Sequence, residues 1–410
     1  MSLLKSVTRR RMLTSLGLGT GAFLMRDRFG ISEAAAEQTD PGKLPLMVFA
    51  YFYGGWDTLI TLDPRDHTQH AVVGEGNIDT AYDIIGDSDA QVAAEMAATA
   101  NTGLVQPSGS NIQFGPAIGD IKKHYDKICL VRGIGMGTLT HEVGRRYFIT
   151  GKVPRGLSAS GSAMPTVLAN EGADAHAIPN LVVGGVETYN ENLDAKASGL
   201  NINGYADMAK VLKPLDDSTI PNGALDKAIA EYHAKNHCIH QQLNSDGMVD
   251  TYRAGWEKAR VFMQGTLWEH FNFRANPPSG GSIEKAYQAF GVNPQNPYAA
   301  LRGPIGQGLI AAQALAQGVC QVVSIQPTLS LDTHFDNWKI DQVRRQRGGL
   351  DVLSHLIDFL MATEDMYHPG QALWERVTLV AFSEFARTPK LNVREGRDHH
   401  LSNACLLAGQ

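Results

Sequence analysis

Leu46-Met47-Val48-Phe49-Ala50-Tyr51-Phe52-Tyr53 is an unbroken apolar run, too continuous for a strand with one wet face. It predicts a central strand buried on both sides, which requires a sheet with helices over each face. The run ends in Gly54-Gly55-Trp56-Asp57-Thr58, a turn that carries a carboxylate. Residues 128–132, 181–183, 322–325 and 377–382 read as further strands, and 404–408 is also strand-like. Helical patterns at 116–125, 142–150, 224–272, 304–318 and 348–363 lie between them. This alternation predicts an α/β fold with a mostly parallel central sheet and helices on both faces.

The stretch 205–300 breaks the rhythm. Its long polar helices have no strand-like run between them, which predicts a helical insertion over the main domain. His233, His237 and His240 fall on neighbouring turns there, but no carboxylate shares their face at short spacing. They read as solvated helix histidines. Pro277-Pro278-Ser279-Gly280-Gly281-Ser282 is a flexible joint leading back to the main domain.

Residues 1–36 read as an export signal. Thr8-Arg9-Arg10-Arg11-Met12-Leu13 fits the twin-arginine pattern, an apolar stretch follows to Met25, and Ala34-Ala35-Ala36 offers small residues for cleavage. The expected mature chain, 37–410, is periplasmic or secreted. Its apolar runs fall short of the roughly 18 residues a membrane span needs. Removing 1–36 takes away six basic and two acidic residues, moving the formal net charge from −6 to −10. A surface that acidic argues against nucleic acid as a partner. Cys129, Cys238, Cys320 and Cys405 stand singly, without CxxC spacing, and read as core thiols, with one disulfide left open.

The chemistry-bearing residues gather at strand ends. Asp332-Thr333-His334-Phe335-Asp336 follows one strand, Ser383-Glu384 closes another, and Asp398-His399-His400 lies just before the last. Carboxylates and imidazoles at successive strand ends converge on the carboxyl edge of an α/β sheet. Without thiols, the set suits a divalent ion such as Zn, Mn, Ca or Mg. Asp57 is a candidate ligand or an N-cap. Asp332 and His334, two apart on an extended segment, can share an ion. Glu384 ends a buried strand, so its carboxylate needs a cation, either a metal or Arg387. Asp398 can orient the His399 ring. His141 opens a helix with Arg145 and Arg146 one turn on, a candidate metal ligand or part of an oxyanion site.

These elements, in this order, resemble the exported bacterial family called domain of unknown function 1501, of the alkaline phosphatase and sulfatase superfamily. The resemblance rests on the twin-arginine start, Gly54-Gly55-Trp56-Asp57, the His141…Thr150-Gly151 segment, Asp332-Thr333-His334, Ser383-Glu384-Phe385-Ala386-Arg387-Thr388 and Asp398-His399. It implies an alkaline phosphatase-like architecture, with Asp57, Asp332, His334, Glu384 and His399 as ligands for one or two ions. It also implies a nucleophile position at the start of the 142–150 helix, where this chain carries His141. Family members usually continue further past 404–408, so the resemblance implies a shortened C-terminus. The expected activity is metal-dependent hydrolysis of phosphate or sulfate esters, small or polymer-borne, by metal-activated water rather than a covalent intermediate, with Arg145 or Arg146 steadying charge. The alternative is a catalytically silent relative acting as an exported binding or assembly protein.

Overall fold

β1 (Leu46–Tyr51) occupies the middle of the central sheet, as its unbroken apolar run requires. The computed structural model describes residues 40–71, 77–186, 188–213, 228, 231–232 and 267–409. After β1 come β2 (Ile128–Gly135), β3 (Asn180–Val183), β4 (Leu200–Ile202) and β5 (Val322–Ile325). They are followed by β6 (Glu364–Asp365), β7 (His368–Ala372), β8 (Val377–Phe382), β9 (Ala386–Arg387), β10 (His399–His400) and β11 (Ser402–Ala408). Seven of these form one sheet in the order β2-β11-β8-β1-β5-β3-β4, with β6/β7 and β9/β10 as separate two-stranded ribbons. β1 runs parallel to β5 and β8, β3 is parallel to β4 and β5, and β11 alone runs antiparallel, to both β2 and β8. The fold is α/β with a mostly parallel sheet.

Alternate residues of β1 feed two cores. Leu46, Val48, Ala50 and Phe52 join the larger cluster with Leu309 and Ile310 of the Pro304–Ala316 helix and Leu353 and Leu356 of the Val343–Ala362 helix. Phe49 and Tyr51 point the other way, to Ile149, Val182, Val322, Phe382 and Cys405. Each fully buried aliphatic or aromatic side chain contributes on the order of 1.5–3 kcal/mol. Burial on both faces is therefore what holds this strand at the centre.

The stretch 205–300 divides. Its described helices are Tyr205–Leu212, Leu267–Phe271, Ser282–Ala289 and Tyr298–Leu301, and no strand occurs among its described residues. Met208, Leu212, Phe271, Ile283 and Tyr287 belong to the main core. The flanks of this stretch are thus part of the domain rather than a layer above it. Most of 214–266, with the three histidines and Cys238, lies outside the described residues, as does the expected signal at 1–36.

Cys320 and Cys405 are buried thiols, and burial raises the Cys405 pKa to about 12. Cys129 corrects the core reading. It is exposed, on β2, which lies at the edge of the sheet among the described strands and has little packed over it. The three described thiols are free.

β1, β2, β5 and β8 all end at one edge of the sheet, and β11 begins there. The segments that follow them carry His141, Asp332, His334, Ser383 and Glu384, and His399 arrives just ahead of β11. No helix among the described residues is long and apolar enough to cross a membrane.

Candidate metal centre

His141 is the first residue of the helix His141–Thr150, which follows β2. Its Nδ1 lies 2.5 Å from Oε1 of Glu384, a fully buried carboxylate at the end of β8. Glu384 already accepts the Gly54 N–H at 2.8 Å and the Ser383 hydroxyl at 3.0 Å. Its oxygens act as acceptors, so His141 donates from Nδ1. Two glycines permit this closeness. Gly54 holds a φ of +105°, and a Cβ there would meet the backbone nitrogens of Leu331 and Asp332 at 2.6 Å. A Cβ at Gly144 would meet the Glu384 carbonyl oxygen at 2.7 Å, so the helix rests directly on the strand end.

The other two histidines are held in the same manner. His334, from the loop after β5, faces Asp398 Oδ1 through Nδ1 at 2.8 Å, and His399 Nδ1 meets the Leu139 carbonyl at 2.6 Å. A carbonyl can only accept. Asp398 also accepts from Asn392 at 3.1 Å, and its hydrogen bond to His334 holds its pKa below the usual value. Each ring therefore donates from Nδ1 and turns its Nε2 outward.

Those three Nε2 atoms converge. The Asp332 Oδ1 atom lies 2.9 Å from that of His334 and 3.5 Å from those of His141 and His399. The Nε2 atoms of His334 and His399 are themselves 3.0 Å apart. His141, Asp332 and His399 each offer a ligand atom within 4.8 Å of the others. Lone pairs that close to each other and to a carboxylate oxygen repel unless a cation lies against them, whether a proton, a metal or the guanidinium of Arg387. Burial is the main influence on His399 and lowers its pKa, which favours the neutral ring.

The surroundings are apolar on one side and charged on the other. The Phe385 ring packs 4.3 Å from His399 and 4.9 Å from His141, with Tyr53 at 6.0 Å from His141. Burial pushes the Asp332 carboxyl up, but Arg387, donating to it at 2.7 Å, outweighs that and leaves its pKa lowered. The buried Arg387 also donates to the carbonyls of Gly54, Gly55, Leu331 and Arg397. Its Nη1 stands 3.3 Å from His334 Nε2.

A sequence profile matches residues 45–410, which takes in every strand of this sheet and every residue of the cluster. The chain belongs to the family described as "Protein of unknown function (DUF1501)". No curated protein and no solved structure matches it.

Within this DUF1501 chain the five expected ligands divide. Asp332, His334 and His399 meet, and His141 joins them. Glu384 stands one shell back, behind the His141 ring, and its partners are His141, Gly54 and Ser383 rather than Arg387. Asp57 is a correction. The left-handed Gly54 and Gly55 turn the chain inward, and Asp57 is fully buried against Arg397 at 3.0 Å and the Trp338 indole N–H at 2.8 Å. Its other oxygen caps the Leu59 N–H at 3.0 Å. Asp398 serves His334 instead of its neighbour His399, because successive residues of an extended segment face opposite ways. Arg145 borders a small pocket with Tyr51, Ile149, Val186, Tyr189 and Phe382, and Arg146 donates to the Tyr189 hydroxyl at 3.0 Å. His400 turns to Ser402. Sequence reasoning missed the Leu139 carbonyl, which carries no side-chain signal, and Arg397, which stands just ahead of the Asp398-His399 element.

Proposed function

We propose that this chain is a divalent-metal protein of alkaline phosphatase-like architecture that hydrolyses phosphate or sulfate esters at the edge formed by His141, Asp332, His334 and His399. The observation that carries the reading is the convergence of three imidazole Nε2 atoms on one carboxylate oxygen, each ring fixed from behind by its own acceptor. A donor set of three nitrogens and one oxygen suits Zn or Mn better than Ca or Mg, which favour all-oxygen shells.

When bound, the ion supplies Lewis-acid polarisation of a phosphoryl or sulfuryl oxygen and acidifies a water. The chain supplies the rest. Glu384 keeps the His141 Nε2 aimed into the site, and Asp398 and the Leu139 carbonyl do so for the other two rings. Arg387 keeps Asp332 ionised. Phe385 and Tyr53 limit water around the imidazoles, which strengthens every charge interaction there.

The silent-relative reading has its own support: Arg387 already offsets the Asp332 charge, and the helix start bears His141 rather than a hydroxyl or thiol nucleophile. Assays on aryl phosphate and aryl sulfate esters separate the two. The hydrolase reading expects turnover that chelator abolishes and Zn or Mn restores. Metal binding without turnover on either ester class would favour the silent binding protein. We also propose twin-arginine export, on the strength of Arg9-Arg10-Arg11 ahead of an apolar stretch. Replacing Arg9 and Arg10 by Lys should hold the chain in the cytoplasmic fraction; unchanged periplasmic recovery would contradict it.

A further inference from the structure

Asp57 and Arg397 are both fully buried and form an ion pair at 3.0 Å, 340 positions apart in sequence. The Arg397 guanidinium lies 4.7 Å over the Trp338 ring, whose indole N–H donates to the same Asp57 oxygen at 2.8 Å. Arg397 also donates to the carbonyls of Thr388 at 2.8 Å and Asp79 at 2.5 Å. Asp57 is held in turn by Gln346, which accepts its N–H at 2.8 Å and donates to its carbonyl at 3.0 Å.

The position of this pair in the chain gives it a second consequence. The residue after Arg397 is Asp398, which holds the His334 ring, and the next is His399. Trp338 closes the loop that carries Asp332 and His334, its N–H bonded to the Phe335 carbonyl at 2.9 Å. The Arg397 N–H meets the Thr333 carbonyl at 3.4 Å, and its own carbonyl accepts from Arg387. The two segments that deliver His334 and His399 are thus tied to one buried charge pair, although neither Asp57 nor Arg397 reaches the Nε2 cluster with its own side chain.

We propose that Asp57, Arg397 and Trp338 are positioning residues for this metal centre. They fix the 332–338 and 397–399 segments against one another so that the His334 and His399 Nε2 atoms face a shared ion. The inference rests on the metal-binding reading of the site. Arginine is required here because its planar fork spans Asp57 and the carbonyls of Thr388, Asp79 and Thr80 at once, which the single ammonium of lysine cannot do. A pair that served the fold alone would add stability without altering how the ligands present themselves.

The test uses the full-length chain titrated with cobalt(II), whose visible absorption reports ligand geometry, with far-UV circular dichroism to check folding. Trp338→Phe keeps the aromatic ring and loses only the indole N–H; Arg397→Lys keeps the charge and loses the fork. Both are expected to bind cobalt roughly 10–100-fold more weakly than wild type, with an altered visible band. Arg376→Lys disturbs a pair with the buried Asp365, at 2.7 Å and at the far end of β8, in which the arginine is only partly exposed, and should leave both readouts unchanged. If Arg397→Lys does not fold, Trp338→Phe decides alone. Wild-type affinity and spectrum in a folded Trp338→Phe overturn the positioning role and leave the metal reading intact. A wild-type chain that takes up no cobalt overturns both.

Discussion

His399→Ala is expected to lose the bound divalent ion and, with it, the stability that ion confers. His399 brings one of the converging Nε2 lone pairs, and no other side chain of the cluster can replace it at 3.0 Å from His334. An ion that binds only the native state adds RT ln(1 + [L]/Kd), about 3–4 kcal/mol at 100 to 1,000 times Kd. The wild-type melting temperature should therefore rise with added Zn or Mn and fall with chelator. The variant should melt low and respond to neither. Asp332→Ala should behave similarly, with an added cost because Arg387 loses its carboxylate partner. A melting curve of the wild type that ignores both metal and chelator would argue that the cluster is held by Arg387 and a shared proton instead.

Asp57→Ala should destabilise the fold strongly whether or not metal is present. It strands the fully buried Arg397 guanidinium among carbonyls without a counter-charge. Breaking one partner of such a pair costs about 3–5 kcal/mol. Urea denaturation of the metal-free proteins measures this directly. A loss under about 1 kcal/mol, the range of exposed pairs, would show that water reaches Arg397 and that the pair is not the closed lock described above.

The sheet was legible in the sequence where burial on both faces forces apolar continuity, as in 46–53, 322–325 and 377–382. β4 was not, because three residues at a sheet edge carry too short a pattern. Nor was the β9/β10 ribbon, whose paired residues include Arg387, His399 and His400 and look like polar loop. The edge on which the site forms followed from the parallel order of strands, so Asp332, His334 and His399 could be named before any coordinates. The partner of each group could not. Glu384 finds His141 rather than Arg387 because Gly144 lets the helix rest on the end of β8. Asp57 finds Arg397 because two left-handed glycines turn it inward, and backbone direction at Gly-Gly is not written in side-chain pattern. Such pairings are properties of the assembled edge.

Metal analysis of the chain, loaded with Zn or Mn and washed free of loosely held ion, tests the central claim most directly. The geometry of one converging cluster predicts about one tightly held divalent ion per wild-type chain and none in His399→Ala. Wild-type protein that emerges metal-free, or a His399→Ala variant that keeps the same occupancy, would contradict the metal centre built on His141, Asp332, His334 and His399.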